Sequence, residues 1–149
     1  MNFGSSFGIS ASALTAQRLR MDVISSNVAN AETTRASVVD GKAVPYRRKL
    51  VVMEATDSNK FSNILNSKMN GGSSEGVKVQ SIIEDTSPLK PVYNPSHPDA
   101  DAEGYVYMPN VDVTKEMVDM LSASRSYEAN VTMLNASKAM ASKALEIGR

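Results

Sequence analysis

A chain of 149 residues with 16 basic and 16 acidic side chains, one histidine, no cysteine and no tryptophan holds one domain, or two small ones. Zero net charge supplies no field for counterion release, which argues against a nucleic-acid binder or a polybasic membrane-surface protein. The missing cysteine excludes a disulfide framework, a thiolate nucleophile and cysteine-ligated zinc, and no run of about 18 apolar residues offers a spanning helix.

Residues 1–17 carry no charge, yet Gly4, Ser5, Ser6, Gly8, Ser10 and Ser12 interrupt any apolar core of a secretion signal, and no cleaved signal is expected. From Ser10 to Glu32 the spacing predicts a long helix. Leu14, Met21 and Val28 are seven apart, with Ile24 and Ala31 three residues after the second and third, a heptad seam in which Gln17 is the polar exception. At about 1.5 Å per residue it runs roughly 35 Å, and Thr33 and Thr34 are the expected stop. Asn27 and Asn30 sit near the seam, where they either mark a fraying end or make an interhelical hydrogen bond that fixes register.

All six prolines fall between Thr34 and Pro109, so helix cannot dominate there. Tyr46–Ala55, Val77–Ile83 and Gly104–Met108 read as strands of a small, mostly antiparallel sheet. The Arg47-Arg48-Lys49 run inside the first of them reads as a solvated or intersubunit face rather than a phosphate site. Residues 56–76, with Asn70-Gly71-Gly72-Ser73-Ser74, predict a flexible loop, with a short amphipathic piece at Phe61, Ile64 and Leu65.

The one concentrated polar site is the stretch from Asn94 to Tyr105. Asp99, Asp101, Glu103 and Gly104 imitate positions 1, 3, 5 and 6 of a calcium loop, but position 12 is Asn110, which supplies no bidentate carboxylate. Pro88, Pro91, Pro95 and Pro98 also block the helix that should precede such a loop, so a proline-shaped turn is the preferred reading. His97, the only histidine, has no visible catalytic partners and is expected to hydrogen-bond locally or face a neighbouring subunit. No nucleophile elbow, phosphate loop or zincin helix occurs. No catalytic, cofactor or metal site is expected.

From Asp112 to Ile147, Val113, Met117, Met120, Tyr127, Val131, Leu134, Ala141 and Leu145 follow alternating spacings of four and three, broken at Ser124 and Lys138. Asn110 or Asp112 can cap this second helix, Glu116 suits the dipole of its first turn, and Gly148 with Arg149 closes it. Its other faces are built of alanine and serine, which lets neighbouring helices approach on several sides.

Two motifs carry a family resemblance: Ser26-Asn27-Val28-Ala29-Asn30-Ala31-Glu32-Thr33-Thr34 near the amino terminus, and a loop with Tyr93, Asn94, Pro95, His97, Pro98, Asp99, Gly104 and Tyr105. With Pro109-Asn110-Val111, Glu116-Met117-Val118-Asp119-Met120 and Arg125-Ser126-Tyr127-Glu128-Ala129-Asn130, they make the chain resemble the bacterial flagellar axial proteins, proximal rod, FlgC type. The resemblance implies an α+β fold with long terminal helices packed as a coiled-coil-like pair and a small antiparallel β-rich middle. It divides the chain into an axial helix over 1–33, a middle region over 34–110 and a second axial helix over 111–149.

It further implies a non-enzymatic structural subunit of the basal-body rod in the periplasmic space. Such a subunit assembles helically with copies of itself and other rod proteins, transmits motor torque and leaves the cell through the flagellar export apparatus. No nucleic acid, small-molecule substrate or direct membrane insertion belongs to that picture. The expected assembly interface is Leu14, Met21, Ile24, Asn27, Val28 and Asn30 on the first helix, with Met117, Met120, Tyr127, Val131, Leu134 and Leu145 on the second. The alternatives are a soluble calcium-dependent binding module using Asp99, Asp101 and Glu103, or another axial part such as distal rod or hook.

Overall fold

The computed structural model describes residues 3–39, 42–56, 65 and 76–147. Its elements, in chain order, are α1 (Phe3–Ala29), β1 (Ser37–Val39), β2 (Lys42–Val44), β3 (Lys49–Ala55), β4 (Val77–Glu84), β5 (Lys90–Tyr93), β6 (Tyr105–Met108) and α2 (Val113–Ile147). The fold is α+β, as expected, with the strands in three separate pairs, β1–β2, β3–β4 and β5–β6, in place of one sheet. Of the expected 56–76 loop and its amphipathic piece, residues 57–64 and 66–75 lie outside the described residues. Among the described residues, no helix is long and apolar enough to cross a membrane.

Helix α1 starts earlier than the heptad pattern suggests and stops earlier too. Serine and threonine inside it bond their hydroxyls to their own helix, Ser12 Oγ to the Ile9 carbonyl at 2.8 Å and Thr15 Oγ1 to that of Ala11 at 3.1 Å. The end is set by Asn30, not by the threonines. Its Nδ2 donates to the Ser26 carbonyl at 2.9 Å, while Thr33 Oγ1 donates to its Oδ1 at 3.2 Å, so one side chain occupies a terminal carbonyl and begins the turn. At the start of α2, Asp112 is the cap: its Oδ1 accepts the backbone N–H of Thr114 at 3.0 Å.

The short pairs explain themselves locally. Val39 pairs with Lys42 across the dipeptide Asp40-Gly41, a sequence signal for a two-residue hairpin. In β5–β6, Pro91 pairs with Tyr107 and Tyr93 with Tyr105; a proline is tolerated because a two-stranded pair has only edges. The β3–β4 pair is antiparallel, since Asp85 N–H bonds to the Arg48 carbonyl at 2.8 Å and Thr56 N–H to that of Gly76 at 2.8 Å.

Two compact units result, one from residues 1–20, 52–81 and 123–149, the other from 21–51 and 82–122. In the first, the buried residues among those described are the small ones, Ala16, Ala123 and Ser137. Ser12 Oγ there accepts the Val77 N–H at 3.1 Å, and a Cβ added at Gly76 would lie 2.7 Å from that same oxygen. In the second unit Val23, Ile24, Tyr46, Val106 and Val111 form the apolar core, and two polar side chains, Asn27 and Glu116, are buried with them.

Candidate functional site

Asn27 is 1 % exposed, and every hydrogen-bonding position of its amide is used. Oδ1 accepts the Lys49 backbone N–H and the Tyr46 hydroxyl, each at 2.9 Å. Nδ2 donates to the Lys49 carbonyl at 2.9 Å and to Glu116 Oε2 at 3.0 Å. The amide thus pairs with Lys49 as a neighbouring strand would, meeting both its N–H and its C=O. That excludes the fraying-end reading of Asn27. Asn30, by contrast, spends its side chain on the helix terminus.

Glu116, also 1 % exposed, turns its other oxygen to Arg48, whose Nε donates to Oε1 at 2.6 Å and whose second guanidinium nitrogen lies 2.5 Å away. The same guanidinium faces Asp119 at 3.5 Å and Asp85 at 3.7 Å. Both guanidinium nitrogens meet the one oxygen Oε1; a carboxylate stripped of water needs its second oxygen bonded as well, and Asn27 Nδ2 donates to it. Arg48 is fixed through its backbone as well: its N–H donates to Asn110 Oδ1 at 2.9 Å, and Asn110 Nδ2 donates to the carbonyls of Asp85 at 3.2 Å and Ser87 at 3.3 Å. One expectation is corrected here: Arg48 belongs to a buried pair instead of a solvated face. Of the two caps offered for α2, Asp112 serves, and Asn110 anchors a strand end. The Asp85 carboxyl is held below the usual range by the Ser87 hydroxyl and backbone N–H and, less strongly, by Arg48.

The loop after β5 is shaped by its own backbone. Asn94 N–H bonds to the Gly104 carbonyl at 2.9 Å, Gly104 N–H to that of Asp101 at 2.8 Å, and Asp101 N–H to that of Tyr105 at 2.8 Å. Gly104 has φ +81°, and a Cβ there would sit 3.0 Å from the Tyr93 ring, which meets Tyr105 edge-on with centroids 5.4 Å apart. His97 Nδ1 accepts the Asp99 N–H at 3.1 Å, a local bond as expected. Asp99 is taken by Arg35, which pairs with Oδ1, and by Thr34, whose hydroxyl donates to Oδ2 at 2.9 Å. These two bonds, Arg35 first, hold its carboxyl below the usual range. Asp101 Oδ1 accepts the Ala102 N–H at 2.9 Å. The loop therefore ties itself to the segment after α1 through Asp99.

Of the residues expected at an interface, Ile24 is buried with Asn27, while Leu14, Met21, Val28 and Asn30 are half-buried. Met120, Tyr127, Val131 and Leu134 are half-buried as well, whereas Met117 is 56 % and Leu145 77 % exposed. Val113 and Met117, both in the heptad reading, continue into an apolar stripe with Val118 and Leu121, which that reading did not include. Val118 and Leu121 are 61 % and 65 % exposed, and Val113 lies one turn before, so spacings of four, one and three put all four on one face of α2. Beside it an open groove of about 510 Å³ is lined by Ser25, Val28, Ala29, Met117, Met120 and Leu121, with no charged side chain.

Tyr46, Arg48, Asn110 and Glu116 were each visible as residues, but their meeting was not. Asn27 and Glu116 are 89 positions apart, and only a buried-pair signal, an arginine in a β-rich stretch and an acid in an apolar helix start, hinted at it.

The sequence model for flagella basal body rod proteins matches residues 7–36, and that for the C-terminal part of flagellar basal body rod FlgEFG proteins matches residues 102–147. The chain is similar to the flagellar basal-body rod protein FlgC of Bacillus subtilis (strain 168), 60% identical over 146 residues that cover 97% of each chain. It is 46% identical over 153 residues to FlgC of Borreliella burgdorferi, covering 99% of this chain and 98% of that one. To FlgC of Escherichia coli O157:H7 it is 47% identical over 143 residues, 96% of each.

Proposed function

The chain belongs to the FlgC family of flagellar basal-body rod proteins, structural parts of the bacterial flagellum that serve motility, and from that premise we propose that it builds the proximal rod by helical assembly. It works beside other rod proteins in the basal body. The calcium-binding and distal rod or hook readings are not favoured by these matches. The observation that carries helical assembly is the stripe Val113, Met117, Val118 and Leu121, open to water in the single chain, a contiguous apolar face of the sort that marks a protein contact. A contact between unlike faces of successive copies repeats without closing and generates a tube.

In this reading the segments 1–33 and 111–149 are the axial helices and 34–110 the outer region. Leu14, Met21, Ile24, Val28, Met117, Met120, Tyr127, Val131, Leu134 and Leu145 carry the helix packing, with Ile24 in the subunit's own core; of the two asparagines expected to fix register, Asn27 reaches the second helix and Asn30 bonds its own helix end. The role is mechanical, not enzymatic. The subunit reaches the periplasmic rod through the flagellar export apparatus.

The test is complementation. A flagellated bacterium deleted for its own copy loses swimming, and its extracted basal bodies stop short of a rod in electron micrographs; the plasmid-borne chain restores both. Rods and swimming that persist in the deletion would overturn the assignment.

A further inference from the structure

Two helices held together by apolar contact alone have a register problem, because methyl and methylene groups pack in more than one alignment. In the unit formed by residues 21–51 and 82–122, Val23, Ile24, Val106 and Val111 supply burial but no directional bond. Asn27 and Glu116 supply the directional ones. A one-residue slip of α1 turns its surface by about 100° and brings Ser26 or Val28 to the place of Asn27. The Lys49 N–H and C=O, the Tyr46 hydroxyl and one Glu116 oxygen then lose their partners in a site closed to water.

We propose that the Asn27–Glu116–Arg48 node is a register device: it selects one seating of the end of α1 on the start of α2, and incorporation into the rod depends on that single seating. The proposal rests on the rod reading above. A buried ion pair spends in desolvation what it gains in attraction, so an apolar set of similar volume holds a fold equally well. What an apolar set lacks is a unique answer, because methylene groups accept several registers where an amide with four filled positions accepts one. The arrangement has the marks of specification. One guanidinium serves three carboxylates, Glu116 at 2.5 Å, Asp119 at 3.5 Å and Asp85 at 3.7 Å, and Asn27 bonds to two elements at once, the β3 backbone and the first turn of α2. In a polymer, a subunit with two seatings offers two sets of contacts, and one wrongly seated copy interrupts the tube.

The experiment compares the full chain with the triple variant Asn27→Leu, Arg48→Met, Glu116→Met. Because the chain has no cysteine, Asp22→Cys and Lys115→Cys admit spin labels at two exposed sites, one on each helix. The expected result has three parts. The triple variant melts within about 5 °C of its parent, its inter-label distance splits or broadens where the parent shows one narrow distance, and it fails to restore swimming to the deletion strain. Melting more than about 10 °C lower, or failure to fold, overturns the proposal, since the node then supplies stability in place of register. A single narrow distance overturns it, and so does normal swimming. Failure of the parent chain itself to restore swimming tells against the rod reading alone, with the register still decided by the label distances.

Discussion

At the scale of single residues, the charge on Glu116 is tolerated only because Arg48 and Asn27 meet it from both sides. Glu116→Ala removes the acceptor and leaves a guanidinium that is 13 % exposed short of its closest partner. Breaking such a pair costs about 3–5 kcal/mol, and a urea titration of Glu116→Ala against the parent measures it. Gly104→Ala fails for another reason. With φ at +81° and a ring atom 3.0 Å from the new methyl group, about 1–2 kcal/mol of stability is lost, again read by urea. Asp99 sets an acid limb. Its carboxyl is held below the usual range by Arg35 and then Thr34, so the stability it adds is complete above the unfolded value of about 3.9 and disappears as pH falls through the lower folded value. Asp99→Asn is expected to flatten that decline in urea midpoint between about pH 5 and pH 2, while a decline of unchanged slope would show that the tether to the segment after α1 is idle.

At the scale of elements, α2 is held at its start by one carboxylate. Asp112→Ala leaves the Thr114 N–H without its acceptor, and a loss of about 1 kcal/mol is expected in thermal or denaturant unfolding. Both helices were readable in the sequence because their apolar spacing persists over many turns. Their ends were readable only where a capping side chain acts on its own neighbours, as Asp112 does. Asn30 could have been read the same way, since the carbonyl it takes lies four residues before it. The β1–β2 pair went unread because its strands are only three residues each, and the proline in β5 concealed a strand that an edge position permits. The buried node was legible in parts. Asn27 stood out as a weak helix former on an apolar seam, but Arg48 looked like a solvated charge because its partner is 68 residues away, and pairing over such a distance is a property of the folded chain.

At the scale of the whole molecule, the assembly role proposed for the stripe on α2 can be tested apart from folding. Val118→Asp with Leu121→Asp places charge on surface already open to water, so monomer stability is expected to stay within about 0.5 kcal/mol while swimming is lost. Unimpaired swimming would move the contact elsewhere. Leu134→Lys, at a half-buried position of the long helix, is expected to abolish swimming with the protein still made. Beyond these contacts, the side chain of Asn27 has a protective consequence. A free strand edge recruits any extended chain it meets, and a subunit made in many copies meets its own kind constantly. At the outer edge of β3 the N–H and C=O of Lys49 are already answered by an amide that cannot be extended into a further strand. At that position the strand edge has no free pair of backbone groups to offer a further strand.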